Sequence, residues 1–176
     1  LKFRFRLDKI GKIVPGGETG QMSIYNGLKA AEEVYGVDDN IVLIHDGVRP
    51  LINEQIITDN IECVKKNGAA ITSAPAKETF VLIDDEGRVA DIPSRDHSRI
   101  AKAPQSFYLK DILEAREWAI GNGNTSMIDS CTLMSAYGKK LALIDGPTEN
   151  IKITTPDDFY MFRAIYDARE NQQLEE

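Results

Sequence analysis

The chain has 176 residues, 42% of them hydrophobic and 28% charged, with a formal net charge of -7. That length holds one α/β core and is short for two, so residues 1–176 read as a single domain. The acidic balance argues against nonspecific binding to nucleic acid, and no apolar run has the length that crosses a bilayer.

The opening Lys2-Phe3-Arg4-Phe5-Arg6 lacks the apolar stretch of a secretion signal. Its alternation of aromatic and basic residues suits nucleic-acid contact in a basic protein. In this acidic chain it reads as an amphipathic strand or a truncated edge. Lys12-Ile13-Val14 is expected as a strand that runs into the loop Pro15–Gly20, and Ile24, Leu28, Ala31 and Tyr35 then recur at helical spacing.

Ile41 to Ile44 is a continuous apolar run, the pattern of a parallel strand covered on both faces. Ile57, Ile61 and Val64 mark a second amphipathic helix that ends at Gly68. Residues 69–75 form another buried strand. Thr79–Ile83 and Arg88–Ile92, joined by an acidic Gly turn, suggest a hairpin that projects from the sheet.

Leu109 to Ile120 is helical by composition, with Ile112, Ala115 and Ala119 on one stripe, and a further helix is expected over Ile128 to Tyr137. Leu141–Ile144 returns to strand. Thr155-Pro156-Asp157-Asp158 is a helix start: a hydroxyl cap, proline first, acids in the first turn. That helix is expected to reach about Glu170 and the polar tail to fray. Cys63 and Cys131 lie in separate helix-like segments, which suggests neither a disulfide framework nor a CxxC site and fits a reducing cytoplasm.

Alternating strands and helices place ligands beyond the carboxyl ends of the strands, where helix N-termini and loop amides converge. Gly16-Gly17 and His45-Asp46 occupy such ends. Gly16 and Gly17 let backbone amides approach a phosphate, with Ser23 adding a hydroxyl, or they form an ordinary tight turn. They match neither a Walker A loop nor the dinucleotide fingerprint.

Asp46 offers a carboxylate for a metal or hydroxyls, and Arg49 a guanidinium that grips phosphate bidentately; alternatively the two simply pair across the turn before Pro50. Lys152, flanked by isoleucines and followed by a capped helix, suits a phosphate or snorkels from an edge strand. Arg95, Arg99 and Lys102 are a solvated basic face or an anion clamp. His45 is read as structural, and His97 has no acid or nucleophile partner within its motif.

Taken in order, "PGGETGQMSIYNGL", "IHDGVRP", "APAKETF", "IPSRDHSRIAKAPQSF", "MIDSCTLMSAYG" and "ENIKITTPDDF" resemble the cytidylyltransferases that act on methylerythritol 4-phosphate or ribitol 5-phosphate. The resemblance runs from Pro15 to Ile165, and the Arg-Asp-His and Pro-Gln-Ser-Phe wording is closer to the ribitol 5-phosphate branch. It implies a Rossmann-like nucleotidyltransferase fold, a three-layer α/β sandwich that is N-terminally incomplete, with a projecting β-arm over about residues 77–107 that joins a homodimer.

It also implies transfer of CMP from CTP to a sugar-alcohol phosphate with release of pyrophosphate. Mg2+ would be bound mainly through the nucleotide phosphates, not by a protein metal site. By position, Gly16, Gly17, Glu18, Ser23 and Gly47 would contact CTP. Asp46, Arg49 and Lys152 would form the catalytic and substrate site, Thr79 would line the polyol pocket, and Arg95 would reach the substrate phosphate from the partner subunit.

The sequence departs from the family at three places. The first strand with its Leu-Ala-Gly-Gly-x-Gly-x-Arg loop and Pro-Lys-Gln segment is absent, so the chain reads as the later part of a longer protein. Gly20 replaces the usual arginine, and Ala103 replaces the usual threonine before Pro-Gln. A noncatalytic dimerising remnant that binds a phosphorylated ligand is the alternative reading. A dinucleotide-dependent oxidoreductase ranks last, for want of Gly-x-Gly-x-x-Gly and the ribose-binding acid.

Overall fold

A computed structural model describes residues 7–125 and 127–175, without the side chains of 172–175. The opening Lys-Phe-Arg-Phe-Arg lies outside the described residues. Helices and strands alternate: α1 (Gly20–Tyr35), β1 (Ile41–Ile44), α2 (Glu54–Asn67), β2 (Ala69–Pro75), β3 (Leu82–Ile83), β4 (Val89–Asp91), a 3-10 turn (Arg95–His97), β5 (Arg99–Tyr108), α3 (Leu109–Gly121), α4 (Ser130–Ala136), β6 (Ala142–Asp145) and α5 (Pro156–Glu175). The larger sheet has the order β1-β5-β2-β6, and β3 pairs with β4 as a separate antiparallel hairpin.

The chain divides into two compact units, Leu1–Val42 with Phe107–Leu141, and Leu43–Ser106 with Ala142–Glu176. In the first, α1 packs on α3 and α3 on α4. The stripe Ile112, Ala115 and Ala119 of α3 is fully buried, as the spacing predicts. On α1 only the middle of the expected stripe is covered: Leu28 is buried, whereas Tyr35 at the last turn is 66% exposed. Lys12–Val14 is not a strand. Ile13 is 74% exposed there, and a three-residue segment without a neighbouring strand gains no ladder hydrogen bonds.

In the second unit, β2 pairs in parallel with β6, Ala70 opposite Ala142 and Ile71 opposite Leu143, and α2 covers β2. Residues 69–74 are all buried, in agreement with the reading of a covered strand. The buried face of α2 is Ile56, Asn60 and Val64: Val64 is covered as expected, whereas Ile56 and Asn60 take the places expected for Ile57 and Ile61. A polar residue sets that register. The Asn60 amide donates to the Ile56 carbonyl at 2.8 Å and to Thr72 Oγ1 at 3.0 Å, and Asn60 Oδ1 accepts from Ser106 Oγ at 2.8 Å. Thr72 Oγ1 donates in turn to the Pro104 carbonyl at 2.7 Å, so the network meets the demand that buried polar groups find partners. Gly68 closes α2 with φ 82°, the left-handed conformation that glycine adopts without a Cβ penalty.

Three further expectations are corrected. The run Ile41–Ile44 is only half-buried, because β1 stands at one end of the sheet order. The helix expected over 128–137 begins at Ser130, where the Asp129 side chain accepts from the Thr132 amide at 2.8 Å, and Ile128 is left outside it, 91% exposed. The last helix runs to Glu175 instead of fraying near Glu170. No helix among the described residues is long and apolar enough to cross a membrane.

Candidate active site

The glycine loop of the first unit is held by its own hydrogen bonds. Thr19 caps α1, with Oγ1 accepting from the Met22 amide at 3.2 Å and donating to the Thr125 carbonyl at 3.3 Å. Ser23 Oγ donates to the Thr19 carbonyl at 3.0 Å and accepts from the Gly17 amide at 2.9 Å. The Gly17 amide therefore points inward to the loop in this state. A Cβ on Gly17 would stand 2.4 Å from Met22 Cβ, so only glycine fits. Gly16 is less constrained, with 3.2 Å to Ser23 Oγ, and Glu18 is exposed. Gly20 and Gly47 meet no such steric limit; a Cβ at either finds nothing within 4 Å.

In the second unit, three of the expected residues come together. Arg49 Nε donates to Asp46 Oδ2 at 3.0 Å, and Lys152 Nζ stands 3.6 Å from the same oxygen. The i, i+3 spacing allows this because the segment turns sharply: the Arg49 amide donates to the Asp46 carbonyl at 2.9 Å. The turn meets the segment that carries Lys152 through the Ile153 amide, which donates to the Val48 carbonyl at 2.9 Å. His45 Nε2 donates to the Arg49 carbonyl at 2.9 Å, a structural role as read from the sequence.

Asp46 and Arg49 do pair, but the guanidinium is not exhausted by the pair. Its Nη1 also donates to the Asn150 carbonyl at 2.8 Å, and the Arg49 side chain is only 11% exposed. Asn150 is fully buried and its side-chain amide donates to the Ala103 carbonyl at 2.7 Å. Lys152 does not snorkel from a strand, since residues 151–154 belong to no strand. Just beyond it, Asp158 Oδ2 accepts from the Thr154 and Thr155 amides at 2.9 and 2.7 Å, and Thr155 Oγ1 accepts from the Asp158 amide at 3.3 Å. This reciprocal cap fixes the turn into α5 and holds the Asp158 carboxyl at about 2, first through the Thr154 amide.

Arg95, Arg99 and Lys102 separate. Arg99 is structural: it donates to Ser73 Oγ at 2.8 Å and pairs with Asp145. Arg95 is exposed on the 3-10 turn, and Thr79 is exposed on the loop that follows β2. Lys102 Nζ donates to the carbonyls of Thr148, Asn150 and Pro147 at 3.1, 3.3 and 3.4 Å. Burial, then the charges of Arg49 and Lys77, push the Lys102 ammonium below the ordinary lysine value. Asn150 escaped the sequence reading as a site residue; its one signal was a polar residue directly before Ile-Lys-Ile in a quoted motif.

No group of three or more His, Cys, Asp and Glu side chains forms a metal cage among the described residues. Asp46 is the one carboxylate of this cluster, and it already faces two cations. That donor set fits a hard divalent ion carried largely on substrate phosphates and not one held by protein alone.

The family model of IspD, 2-C-methyl-D-erythritol 4-phosphate cytidylyltransferase, matches residues 4–168. A ribitol-5-phosphate cytidylyltransferase of Streptococcus agalactiae is 59% identical over 97% of this chain and 71% of its own length. A 2-C-methyl-D-erythritol 4-phosphate cytidylyltransferase of Clostridium botulinum is 37% identical over 92% of this chain and 69% of its own. The crystal structure of 4-diphosphocytidyl-2C-methyl-D-erythritol synthase from Anaerococcus prevotii superimposes with a TM-score of 0.81 at 31% identity, covering 94% of this chain and 73% of that one. The nucleotidyltransferase fold expected from the motifs is therefore the fold observed, and the oxidoreductase reading ends here. The chain belongs to the IspD family of CTP-dependent cytidylyltransferases.

Proposed function

We propose that the acceptor is ribitol 5-phosphate in preference to methylerythritol 4-phosphate, and that Asp46, Arg49 and Lys152 form the transfer site. The observation that carries the site is the convergence of Arg49 and Lys152 on Asp46 Oδ2. The acceptor preference rests on the higher identity to the ribitol-5-phosphate enzyme, 59% against 37%.

In the reaction, an oxygen of the acceptor phosphate attacks the α-phosphorus of CTP. The new P–O bond forms as the bond from the α-phosphorus to the oxygen bridging to the β-phosphorus breaks, and pyrophosphate leaves with that electron pair. Charge spreads over the phosphoryl oxygens, and preorganised cations stabilise it most where water is excluded. Lys152, the more exposed cation, is suited to meet the phosphates, while Arg49 is braced by Asn150. Asp46 orients both. A divalent ion, Mg2+ by preference, would supply further charge neutralisation on the triphosphate, with Asp46 the carboxylate at hand.

Gly16, Gly17, Glu18, Ser23 and Gly47 are the proposed nucleotide contacts. Ser23 would exchange its bond to the Thr19 carbonyl for a ligand oxygen. Thr79 would line the polyol pocket, and Arg95 would act on the acceptor phosphate of a partner subunit. The hairpin arm supports a homodimer, because Leu82, Ile83, Val89 and Ile92 are all more than half exposed and form an apolar surface of the kind that marks association sites.

The test is product analysis by 31P NMR with CTP and each acceptor in turn. A diphosphate-bridged cytidine product forms faster with ribitol 5-phosphate on this reading. Faster turnover of methylerythritol 4-phosphate overturns the acceptor assignment, and CTP binding without any product favours the noncatalytic remnant.

A further inference from the structure

The segment between β6 and α5 carries Lys152, yet residues 146–155 belong to no helix or strand. Its main chain is anchored at two points, the Gly146 amide on the Ser73 carbonyl at 2.8 Å and the Ile153 amide on the Val48 carbonyl at 2.9 Å. Between them the fully buried Asn150 side chain reaches inward, and its amide donates to the Ala103 carbonyl of β5 at 2.7 Å. That stretch of β5 is itself fixed. The next carbonyl, of Pro104, accepts from Thr72 Oγ1 at 2.7 Å, and Ser106 Oγ donates to Asn60 Oδ1 at 2.8 Å. Side chains of β2 and α2 thus brace β5 where Asn150 grips it.

Packing alone does not explain an asparagine at position 150. Its Oδ1 is buried without a hydrogen-bond partner, a desolvation cost that a leucine of similar shape would avoid. What the amide supplies is direction. A carbonyl accepts only from a donor, so Nδ2 must face Ala103, and this orients the whole residue. The main-chain carbonyl of Asn150 then accepts from Arg49 Nη1 at 2.8 Å and from Lys102 Nζ at 3.3 Å. Through Arg49 the constraint reaches the transfer site: Nε of the same guanidinium donates to Asp46 Oδ2 at 3.0 Å, and Lys152 Nζ stands 3.6 Å from that oxygen. The guanidinium is a rigid plane, so a shift of the Asn150 carbonyl turns Nε with Nη1.

We propose that Asn150 is a positioning residue for the transfer step: its side-chain amide, held by the Ala103 carbonyl, sets the place of its own main-chain carbonyl, and that carbonyl aims Arg49 at Asp46. The inference rests on the reading of Asp46, Arg49 and Lys152 as the transfer site. Asn150 touches no substrate in this account and acts through Arg49.

Initial rates with CTP and ribitol 5-phosphate are compared for the parent protein, Asn150→Leu, Arg49→Lys and the double variant. Asn150→Leu lowers kcat by about ten- to a hundredfold, the loss typical of a reacting group misplaced from a distance, while both KM values stay parental. In the Arg49→Lys background the same substitution lowers kcat by less than about threefold more, because residues that act as a unit are not additive. A parental kcat in Asn150→Leu overturns the inference, as do losses that multiply in the double variant or a rise in either KM without a loss in kcat. When Arg49→Lys is impaired and Asn150→Leu is not, only this inference falls. When both turn over at the parental rate, or the parent turns over no polyol phosphate, the functional reading fails and this inference with it. Should Asn150→Leu not fold, Asn150→Ala removes the amide without added bulk and decides by the same kcat loss and the same cycle with Arg49→Lys.

Discussion

Arg49 is tied to Asn150 as well as to Asp46: its Nη1 donates to the Asn150 carbonyl at 2.8 Å while its Nε donates to Asp46 Oδ2 at 3.0 Å. Asn150 is itself anchored by the Ala103 carbonyl and stands two residues before Lys152. The guanidinium therefore sets the spacing between the turn after β1 and the segment that carries the lysine. A lysine at position 49 offers one compact ammonium and cannot reproduce both bonds of a planar fork. Arg49→Lys is expected to lower kcat by about ten- to a hundredfold while the thermal midpoint moves little, as loss of one charge-assisted bond implies. Steady-state kinetics beside a melting curve check this.

Gly17 is the position of the proposed nucleotide loop where a side chain is sterically barred. Gly17→Ala must move Met22 and, with it, the first turn of α1. The expected outcome is a raised KM for CTP with an unchanged KM for the acceptor. Equal effects on both substrates would mean that the loop does not serve the nucleotide side.

The cap of α5 carries a pH signature. The folded Asp158 carboxyl lies at about 2, below its ordinary value of 3.8. A carboxylate depressed by folding contributes stability above its unfolded pKa, and that contribution is lost as pH falls toward the folded pKa. The parent should therefore lose thermal stability between pH 4 and about 2 more steeply than Asp158→Asn. Superimposable melting curves for the two proteins over that window would contradict the cap.

The arm is tested by charge. Ile83 is 68% exposed on β3, so Ile83→Asp costs little within one chain. Light scattering should report a dimer for the parent and a monomer for the variant, with loss of activity if Arg95 of the partner subunit serves the site. A monomeric parent contradicts the proposed assembly.

Much of the fold was legible because local chemistry and burial agree. Residues 69–74 form a strand of small and β-branched residues that lies in the sheet interior, and Thr155-Pro156-Asp157-Asp158 caps a helix by short-range bonds alone. Where sequence reading failed, a long-range partner decided. On α2 the buried positions before Val64 are Ile56 and Asn60 instead of Ile57 and Ile61, because Asn60 has partners on β2 and β5, which no periodicity encodes. Lys12–Val14 reads as strand but has no ladder to join. Within the site, Asp46, Arg49 and Lys152 stood out as charged groups after apolar segments, and they meet. Lys102 was legible only as part of a basic face or an anion clamp, and Asn150 not at all, since the roles of both arise from carbonyls brought close only by folding. The split of Arg99 from Lys102 was equally hidden, as both are basic residues on one strand.

The most direct test of the account is pyrophosphate release from CTP and ribitol 5-phosphate by the parent protein and by Lys152→Ala. The parent should release pyrophosphate only when both substrates are present, and Lys152→Ala should fall by at least about a hundredfold while remaining folded, the loss typical of a group that stabilises developing charge. Turnover at the parental rate in Lys152→Ala would contradict the assignment of Asp46, Arg49 and Lys152 as the transfer site.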